Sequence, residues 1–430
     1  MTTEELYEIY KGAENGVTTD SRKCGPGMLF FALRGENFDG NQYATEAINA
    51  GCVAAVVDDT KVNNVDGVIV VEDVLTSMQE LAKMHRRTFD IPVLGLTGSN
   101  GKTTTKELVT AVLAKKYKVH ATEGNLNNHI GVPLTLLSTP LDCEFLIVEM
   151  GANHIGEISY LVNITEPNLG IITNIGLAHL EGFGGKEGVK KGKKELFDYL
   201  RDIESTVFIH GDHQELLEIS TGMNRVIFGT KEHLPEVRFI AQGNGRKFVW
   251  SENGYESDHK TIKLEGDYNL DNIAAAITIG RFFNVEKNDV ETAISEYTPT
   301  NNRSQVYDTG NNEILLDAYN ANPSSMEKAI LSFEKNSNHP KLVILGDMRE
   351  LGSHSRESHQ MVVNLCKSLH LDSIFVGEEF MSVEDEEIKM RFYSTIDELM
   401  DNLREETLKN KSILLKGSRG MAMEQLLPLL

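Results

Sequence analysis

Short apolar runs alternate with amphipathic stretches from one end of the chain to the other. Near the start, Met28–Leu33 and Val53–Val57 are predicted strands, and Tyr43–Asn49 between them reads as a helix ending at Gly51. Gly67–Val71 is a third strand, a helical pattern runs from Val74 to about Arg87, and Phe89–Pro92 reads as a linker. Unbroken apolar runs follow at Val93–Leu96, Phe145–Val148 and Gly170–Thr173, as expected of parallel strands buried on both faces. Between 225 and 265 the pattern shortens to alternating segments with Gly/Asn turns, which predicts antiparallel hairpins. Helical patterns return at Asn269–Phe283 and Val290–Tyr297. The last part repeats the strand–helix alternation, with strands at Ile314–Leu316, Leu342–Leu345, Ser373–Val376 and Ile413–Leu415. The expectation is an α/β chain of three domains. A small α/β domain covers 1–87, a central domain with a mostly parallel sheet covers 88–300, and a doubly wound, Rossmann-like domain covers 301–430.

Composition narrows the function. A length of 430 residues suits several domains, and a 40% hydrophobic share is ample for packed cores. The net charge of −22 argues against nucleic acid or an anionic membrane surface as partner, since neither attracts acid. It also means that a site for a polyanionic ligand must concentrate its cations locally. Cys24, Cys52, Cys143 and Cys366 are scattered without a CxxC pair, and three of them sit in apolar segments, which reads as thiols in a reducing compartment. The opening Met1–Glu5 has neither the basic nor the apolar region of a signal peptide, and no run approaches the roughly 20 apolar residues of a membrane span. A soluble, cytoplasmic protein is expected.

The chemistry concentrates first at Gly95–Thr105. An apolar strand leads in, a helical pattern leads out, and Gly98, Ser99, Asn100, Gly101, Lys102, Thr103 and Thr104 lie between, the order of a phosphate-cradling P-loop. Glycines let backbone N–H groups close around phosphate oxygens, Lys102 reaches the β/γ-phosphates, and Thr103 sits where a hydroxyl binds Mg²⁺. Leu96 occupies the position of the motif's first Gly. Glu149, at the end of the run Phe145–Val148, stands where a second Mg²⁺ ligand is needed, and His179 follows the next strand to the same sheet edge.

Lys193 is unusual. Val189, Lys193, Leu196 and Leu200 share the apolar stripe of a helix over Gly188–Leu200, so a lysine is placed among core positions, where an ammonium is costly unless paired or neutralised. Asn269 and Asn272 lie three apart at a helix start. Asn269 is positioned to cap that helix, and both amides match the donor and acceptor edge of adenine. Arg303 follows a Pro-Thr-Asn-Asn segment at the boundary with the third domain, from which it could reach a phosphate on domain closure.

These residues together resemble the Mur ligase family, ATP-dependent amide ligases of bacterial cell-wall precursor synthesis. The loop Thr97–Thr103 looks like the family's own P-loop variant, and Glu149 and His179 match its metal ligands. Lys193 matches the lysine that the family carbamylates, and Asn269 and Asn272 match its adenine-side motif, with Tyr268 in place of the usual His. Asp317-Ala318-Tyr319-Asn320-Ala321-Asn322-Pro323, Leu345–Met348 with Glu350–Gly352 and His359, and Lys416–Gly420 with Met423 and Glu424 are similar to the branch that adds D-alanyl-D-alanine. Thr19–Lys23 and Gly35–Gly40 resemble the segment that holds a UDP-sugar, with Asn41 where the family usually has His.

The resemblance implies a ligase consuming ATP with two Mg²⁺ ions and forming ADP and phosphate through an acyl phosphate. Its substrates would be UDP-N-acetylmuramoyl-tripeptide and D-alanyl-D-alanine, and the chain would act as a monomer. Lys102, Lys193, His179 and Arg303 would be catalytic, with Thr103, Glu149, His179 and carbamylated Lys193 at the metals. Asp317 would join the P-loop, Asn269, Asn272 and Arg303 around ATP. Ser21 and Arg22 would hold the UDP end, and Asn320, Asn322, Lys416, Ser418 and Arg419 the dipeptide. A sister ligase for a single amino acid, or a folylpolyglutamate-type synthase, would share the P-loop, Glu149, His179 and Lys193. A GTP-binding switch is disfavoured by the lack of an Asn-Lys-x-Asp motif.

Overall fold

The computed structural model describes residues 1–430 except 63, 64, 230–232, 243, 244, 338, 339, 385–389 and 407. Three parallel or mostly parallel sheets follow one another along the chain. The first has the order Val17–Thr18, Leu29–Phe31, Ala54–Val57, Val68–Val70, all parallel. Its middle strands are wholly buried, and the helix Val74–Arg86 packs against them with Asp73 as its side-chain N-cap.

The central sheet has six parallel strands in the order Asn224–Phe228, Thr206–His210, Leu169–Ile172, Val93–Thr97, Phe145–Glu149, Val119–Ala121. Every residue of Val93–Thr97 and Phe145–Glu149 is buried, which explains why their sequence is continuously apolar. The chain leaves Val93–Thr97 toward one edge of the sheet and later returns to its other side. The crevice at the carboxyl end of this strand is therefore a topological switch point, where open α/β sheets bind ligands.

The expected hairpins are a separate antiparallel sheet of Glu236–Gln242, Gly245–Glu252, Tyr255–Glu256 and Lys260–Ile262. Residues 230–232, 243 and 244 of that predicted stretch lie outside the described residues. One part of the expectation is corrected. Asn224–Phe228 is no hairpin strand but the edge of the central parallel sheet, paired with Thr206–His210. Its edge position leaves most of it exposed, unlike the continuously buried strands of the same sheet.

The third sheet runs Gln305–Asp308, Glu313–Asp317, Ser412–Lys416, Lys341–Gly346, Asp372–Val376, Arg391–Tyr393, parallel except for the first strand. Helices Pro323–Asn336 and Ser355–Ser368 pack on each other, while Ile396–Glu405 packs elsewhere on the sheet. Cys52, Cys143 and Cys366 are buried, Cys24 is half-buried, and all four are free thiols. Among the described residues no helix is long and apolar enough to cross a membrane.

Candidate active site

The buried strand Val93–Thr97 runs into a glycine loop and then the helix Lys102–Leu113. Two glycines are required there by geometry. Gly98 has φ +147°, and a Cβ on it would lie 2.0 Å from Thr173 Oγ1. Gly101 has φ +78°, and its Cβ would lie 2.5 Å from Asn272 Oδ1. The loop is fastened to the end of the neighbouring strand: Ser99 N donates to Asn174 O at 3.0 Å and Asn100 N to Asn174 Oδ1 at 3.1 Å. Lys102 Nζ donates to the carbonyls of Gly98 and Ser99 at 2.8 and 3.2 Å, so its ammonium is held over the loop. Burial pushes the pKa of this lysine down, with Glu149 opposing the shift.

Glu149 ends its strand beside the loop. Its Oε1 accepts from Asn127 Nδ2 at 2.8 Å and from Thr103 Oγ1 at 3.3 Å. Its Oε2 is buried with no hydrogen-bond partner. A buried, unsatisfied carboxylate oxygen next to a threonine hydroxyl is an all-oxygen donor set, the kind that suits a hard divalent cation such as Mg²⁺.

A cavity of about 760 Å³ opens over these groups. The stretch Ser99–Thr104 lines it, with Glu149, His179, Asn269 and Asn272 of the same domain. From the third domain come Arg303, Asp317, Asn320, Asn322 and Lys416. The Arg303 guanidinium stacks on the Tyr319 ring, 3.6 Å from its centroid, and its Nε is buried without a hydrogen-bond partner. Lys416, only 2% exposed, is neutralised by Asp317, whose Oδ2 accepts from Nζ at 2.6 Å. The two domains touch directly here, since Leu177 N donates to Ser324 Oγ at 2.7 Å.

His179 has a left-handed backbone, φ +51°, and its Nδ1 pairs with Glu350 of the third domain. That pairing holds the Glu350 carboxyl below its ordinary value. Lys193 lies in the helix Lys186–Asp202 on the expected stripe and is 1% exposed. Its Nζ has one contact with Ala152 O at 3.4 Å and sits 5.3 Å from the centre of the Phe183 ring. Burial first, and repulsion from Lys102 second, drive its pKa well below the usual lysine value. Lys193 does not line the cavity; Ala152, which does, lies between.

Three family descriptions match the chain in order: "Mur ligase family, catalytic domain" over residues 15–93, "Mur ligase middle domain" over 96–280, and "Mur ligase, glutamate ligase domain" over 302–419. The UDP-N-acetylmuramoyl-tripeptide--D-alanyl-D-alanine ligase of Bacillus subtilis (strain 168) is 35% identical over 451 residues, 99% of this chain and 97% of that one. The chain belongs to the Mur ligase family. Among solved structures, MurF from Acinetobacter baumannii superposes with a TM-score of 0.84 at 27% identity, covering 98% of this chain and 97% of that one. The MurF ligase from Thermotoga maritima in complex with ADP gives 0.85 at 25% identity, covering 96% of each.

The cap expected of Asn269 is not made in this Mur ligase. Asn269 precedes the helix Leu270–Phe282 but forms no side-chain cap; its amide donates to Glu265 O at 2.5 Å and its Oδ1 accepts from Asn272 Nδ2 at 2.8 Å. Asn272 Oδ1 in turn accepts from Thr105 Oγ1 at 2.9 Å, so the pair braces the P-loop helix. Gly98, Ser418 and Arg419 lie outside the cavity, as do Ser21 and Arg22 of the first domain. Ser418 is buried, its Oγ accepting from Arg349 N at 2.9 Å; Arg419 is exposed and paired with Glu424. Arg22 is paired with Asp20 on the surface of the first domain.

Sequence reasoning missed Asn127, which orients Glu149, and Tyr319, the platform under Arg303. The only sign of Asn127 was the unusually amide-rich run Asn125–His129 directly after a strand.

Proposed function

We propose that this Mur ligase joins D-alanyl-D-alanine to UDP-N-acetylmuramoyl-tripeptide at the expense of ATP, making the pentapeptide precursor of peptidoglycan. The observation that carries this reading is the single cavity in which the central P-loop faces Arg303, Asp317 and Asn322 of the third domain. Such a cavity suits a reaction whose phosphoryl donor and amine arrive on different domains. The two substrates are those in the name of the Bacillus subtilis relative.

A carboxylate is a poor acyl donor because its leaving group would be an oxide. Its oxygen attacks the γ-phosphorus of ATP and ADP departs. The dipeptide amine then adds to the acyl phosphate, and phosphate leaves as the amine loses a proton. Lys102 and Arg303 place positive charge beside the phosphoryl oxygens, stabilising the negative charge on them in the transition state. Mg²⁺ held by Thr103 and Glu149 would neutralise the same group. We assign Asn269 and Asn272 to the adenine side, and Asp317 to the nucleotide across the cleft.

Lys193 and His179 we assign to a second Mg²⁺, with Lys193 as a carbamate. The burial that lowers the lysine pKa favours the neutral amine, which adds to CO₂ with loss of one proton. His179 becomes available to a metal when it parts from Glu350. We place the domains at 1–87, 88–300 and 301–430. The first carries the UDP end at Ser21 and Arg22, and the third carries the dipeptide near Asn320, Asn322, Lys416, Ser418 and Arg419. In this reading the enzyme is a cytoplasmic monomer.

The test is phosphate release from ATP and Mg²⁺ with the two substrates added singly and together. Release that needs both, with one amide formed per ATP, is expected. Turnover with a free amino acid in place of the dipeptide would overturn the assignment and move the chain to a sister activity.

A further inference from the structure

A second cluster of ligand-type side chains lies at the same edge of the central sheet, two strands from the P-loop strand. His210 is the last residue of the strand Thr206–His210, and His213 follows after a tight turn in which His213 N donates to His210 O at 3.2 Å. The two imidazoles meet edge to face with centroids 4.5 Å apart. Asp271, in the first turn of the helix Leu270–Phe282, faces both. His210 Nε2 lies 3.1 Å from Asp271 Oδ1, and His213 Nε2 lies 3.7 Å from Oδ2. One donor atom from each of the three residues falls within 4.8 Å of the others.

The ordinary reading of such a triad is an ion pair of Asp271 with two histidines, and the burial of His210 sets it apart from a surface pair. His210 is 2% exposed, and neither of its ring nitrogens has a hydrogen-bond partner in spite of the 3.1 Å approach to Asp271. The imidazole lies within ion-pair distance of the carboxylate, while its Nδ1 is buried with no hydrogen-bond partner. A buried imidazole left in that state is rare unless something else satisfies it.

Ligands around a tetrahedral first-row ion at about 2.0–2.2 Å stand roughly 3.3–3.6 Å apart. The separations of 3.1 and 3.7 Å, each to a different oxygen of the Asp271 carboxylate, lie near that spacing. We propose that His210, His213 and Asp271 bind a divalent first-row transition ion, best matched by Zn²⁺. Two imidazole nitrogens and one carboxylate select such an ion over Mg²⁺, which prefers oxygen donors. The site is separate from the all-oxygen set at Thr103 and Glu149. Asp271 lies between Asn269 and Asn272, and Asn272 bonds the P-loop helix through Thr105. A bound ion thus ties the end of Thr206–His210 to the start of Leu270–Phe282, holding that pair of amides in place.

The experiment is titration of the full chain, stripped with a chelator, with Co²⁺ as spectroscopic probe in the presence of excess Mg²⁺. One equivalent should bind with the visible ligand-field bands of a nitrogen-coordinated ion, and Zn²⁺ should displace it while Mg²⁺-ATP does not. His213→Ala should weaken binding by at least about tenfold. This residue is partly exposed, so the variant is expected to fold; Asp271→Asn, checked by circular dichroism, gives an independent second reading. Absence of the bands, bands unchanged in both variants, or displacement by Mg²⁺-ATP would each overturn the proposal. The readout does not depend on ligase turnover.

Discussion

Asn322 donates its Nδ2 to the side-chain oxygen of Asn100, 2.8 Å away and 222 residues earlier in the chain. The same amide caps the helix Pro323–Asn336, its Oδ1 accepting from Ser325 N at 2.9 Å in a reciprocal capping box. One side chain thus starts a third-domain helix and touches the P-loop of the central domain. It reaches the cavity as a link between domains, whatever it also offers a substrate.

The two roles separate by substitution. Asn322→Ala removes both and is expected to lower stability by about 1 kcal/mol through the lost cap. Asn322→Ser keeps a good capping oxygen but is too short to reach Asn100, so its melting temperature should stay close to the parent. Both variants should raise the KM for ATP by about fivefold, the equivalent of one hydrogen bond worth about 1 kcal/mol. Thermal melts alongside phosphate-release kinetics check this. A normal KM in Asn322→Ser would confine the residue to its capping role.

Lys193 makes a pH prediction with a definite sign. Burial and Lys102 hold its folded-state pKa below the unfolded value of 10.5, so the unfolded chain binds the proton more tightly. The lysine therefore costs stability in full below its depressed folded-state pKa. That cost shrinks as pH rises and is gone above 10.5. In protein freed of CO₂, Lys193→Met should melt higher than the parent at neutral pH, with the difference fading toward alkaline pH, while phosphate release is abolished. A pH-independent difference would show that packing, not the ammonium, sets the effect.

Glu350 and His179 form an ion pair across the domain boundary. Because contact with His179 depresses the Glu350 pKa below its ordinary 4.5, the stability contributed by the Glu350 carboxylate is present above that value and is lost as pH falls through the depressed one. Small-angle scattering should show the chain expanding over that acid range, and Glu350→Gln should remove this pH dependence. The substitution also frees the imidazole. If His179 serves a metal, Glu350→Gln lowers the Mg²⁺ concentration for half-maximal activity; an unchanged requirement would assign His179 to the domain contact alone.

The parts of the site that were legible in the sequence are those whose partners are near neighbours in the chain. The P-loop is one continuous segment whose glycines, lysine and threonine carry their geometry with them, and Lys193 betrays its burial through helical period alone. Asn224–Phe228 departs from expectation because, at the sheet edge, it is largely exposed and lacks the unbroken apolar run that marks the buried parallel strands. Asn100–Asn322 and His179–Glu350 were invisible for another reason. Each depends on how two domains meet, which no local pattern encodes. Asn269 misled because an amide at a helix start caps by default, and here Glu265 and Asn272 claim it instead.

Asn127 offers the sharpest test of the metal site. It touches the Glu149 oxygen that Thr103 also touches, and leaves Oε2 free of protein hydrogen bonds. Glu149 is further fixed by its own N–H, which donates to Thr122 Oγ1 at 3.0 Å. Glu149→Gln removes the charge that a cation needs, and should raise the Mg²⁺ requirement more than any other change at the site. Asn127→Ala leaves the charge but frees the carboxylate to turn, a loss of orientation that costs about tenfold in metal affinity elsewhere. The Mg²⁺ concentration for half-maximal phosphate release should rise by about that factor, while the KM for D-alanyl-D-alanine stays unchanged. In the double variant, Asn127→Ala should add nothing further, because it acts only through the Glu149 carboxylate. An additive effect would mean that Asn127 contacts ATP or the acceptor directly, and Glu149 would then lose its orienting partner in the mechanism.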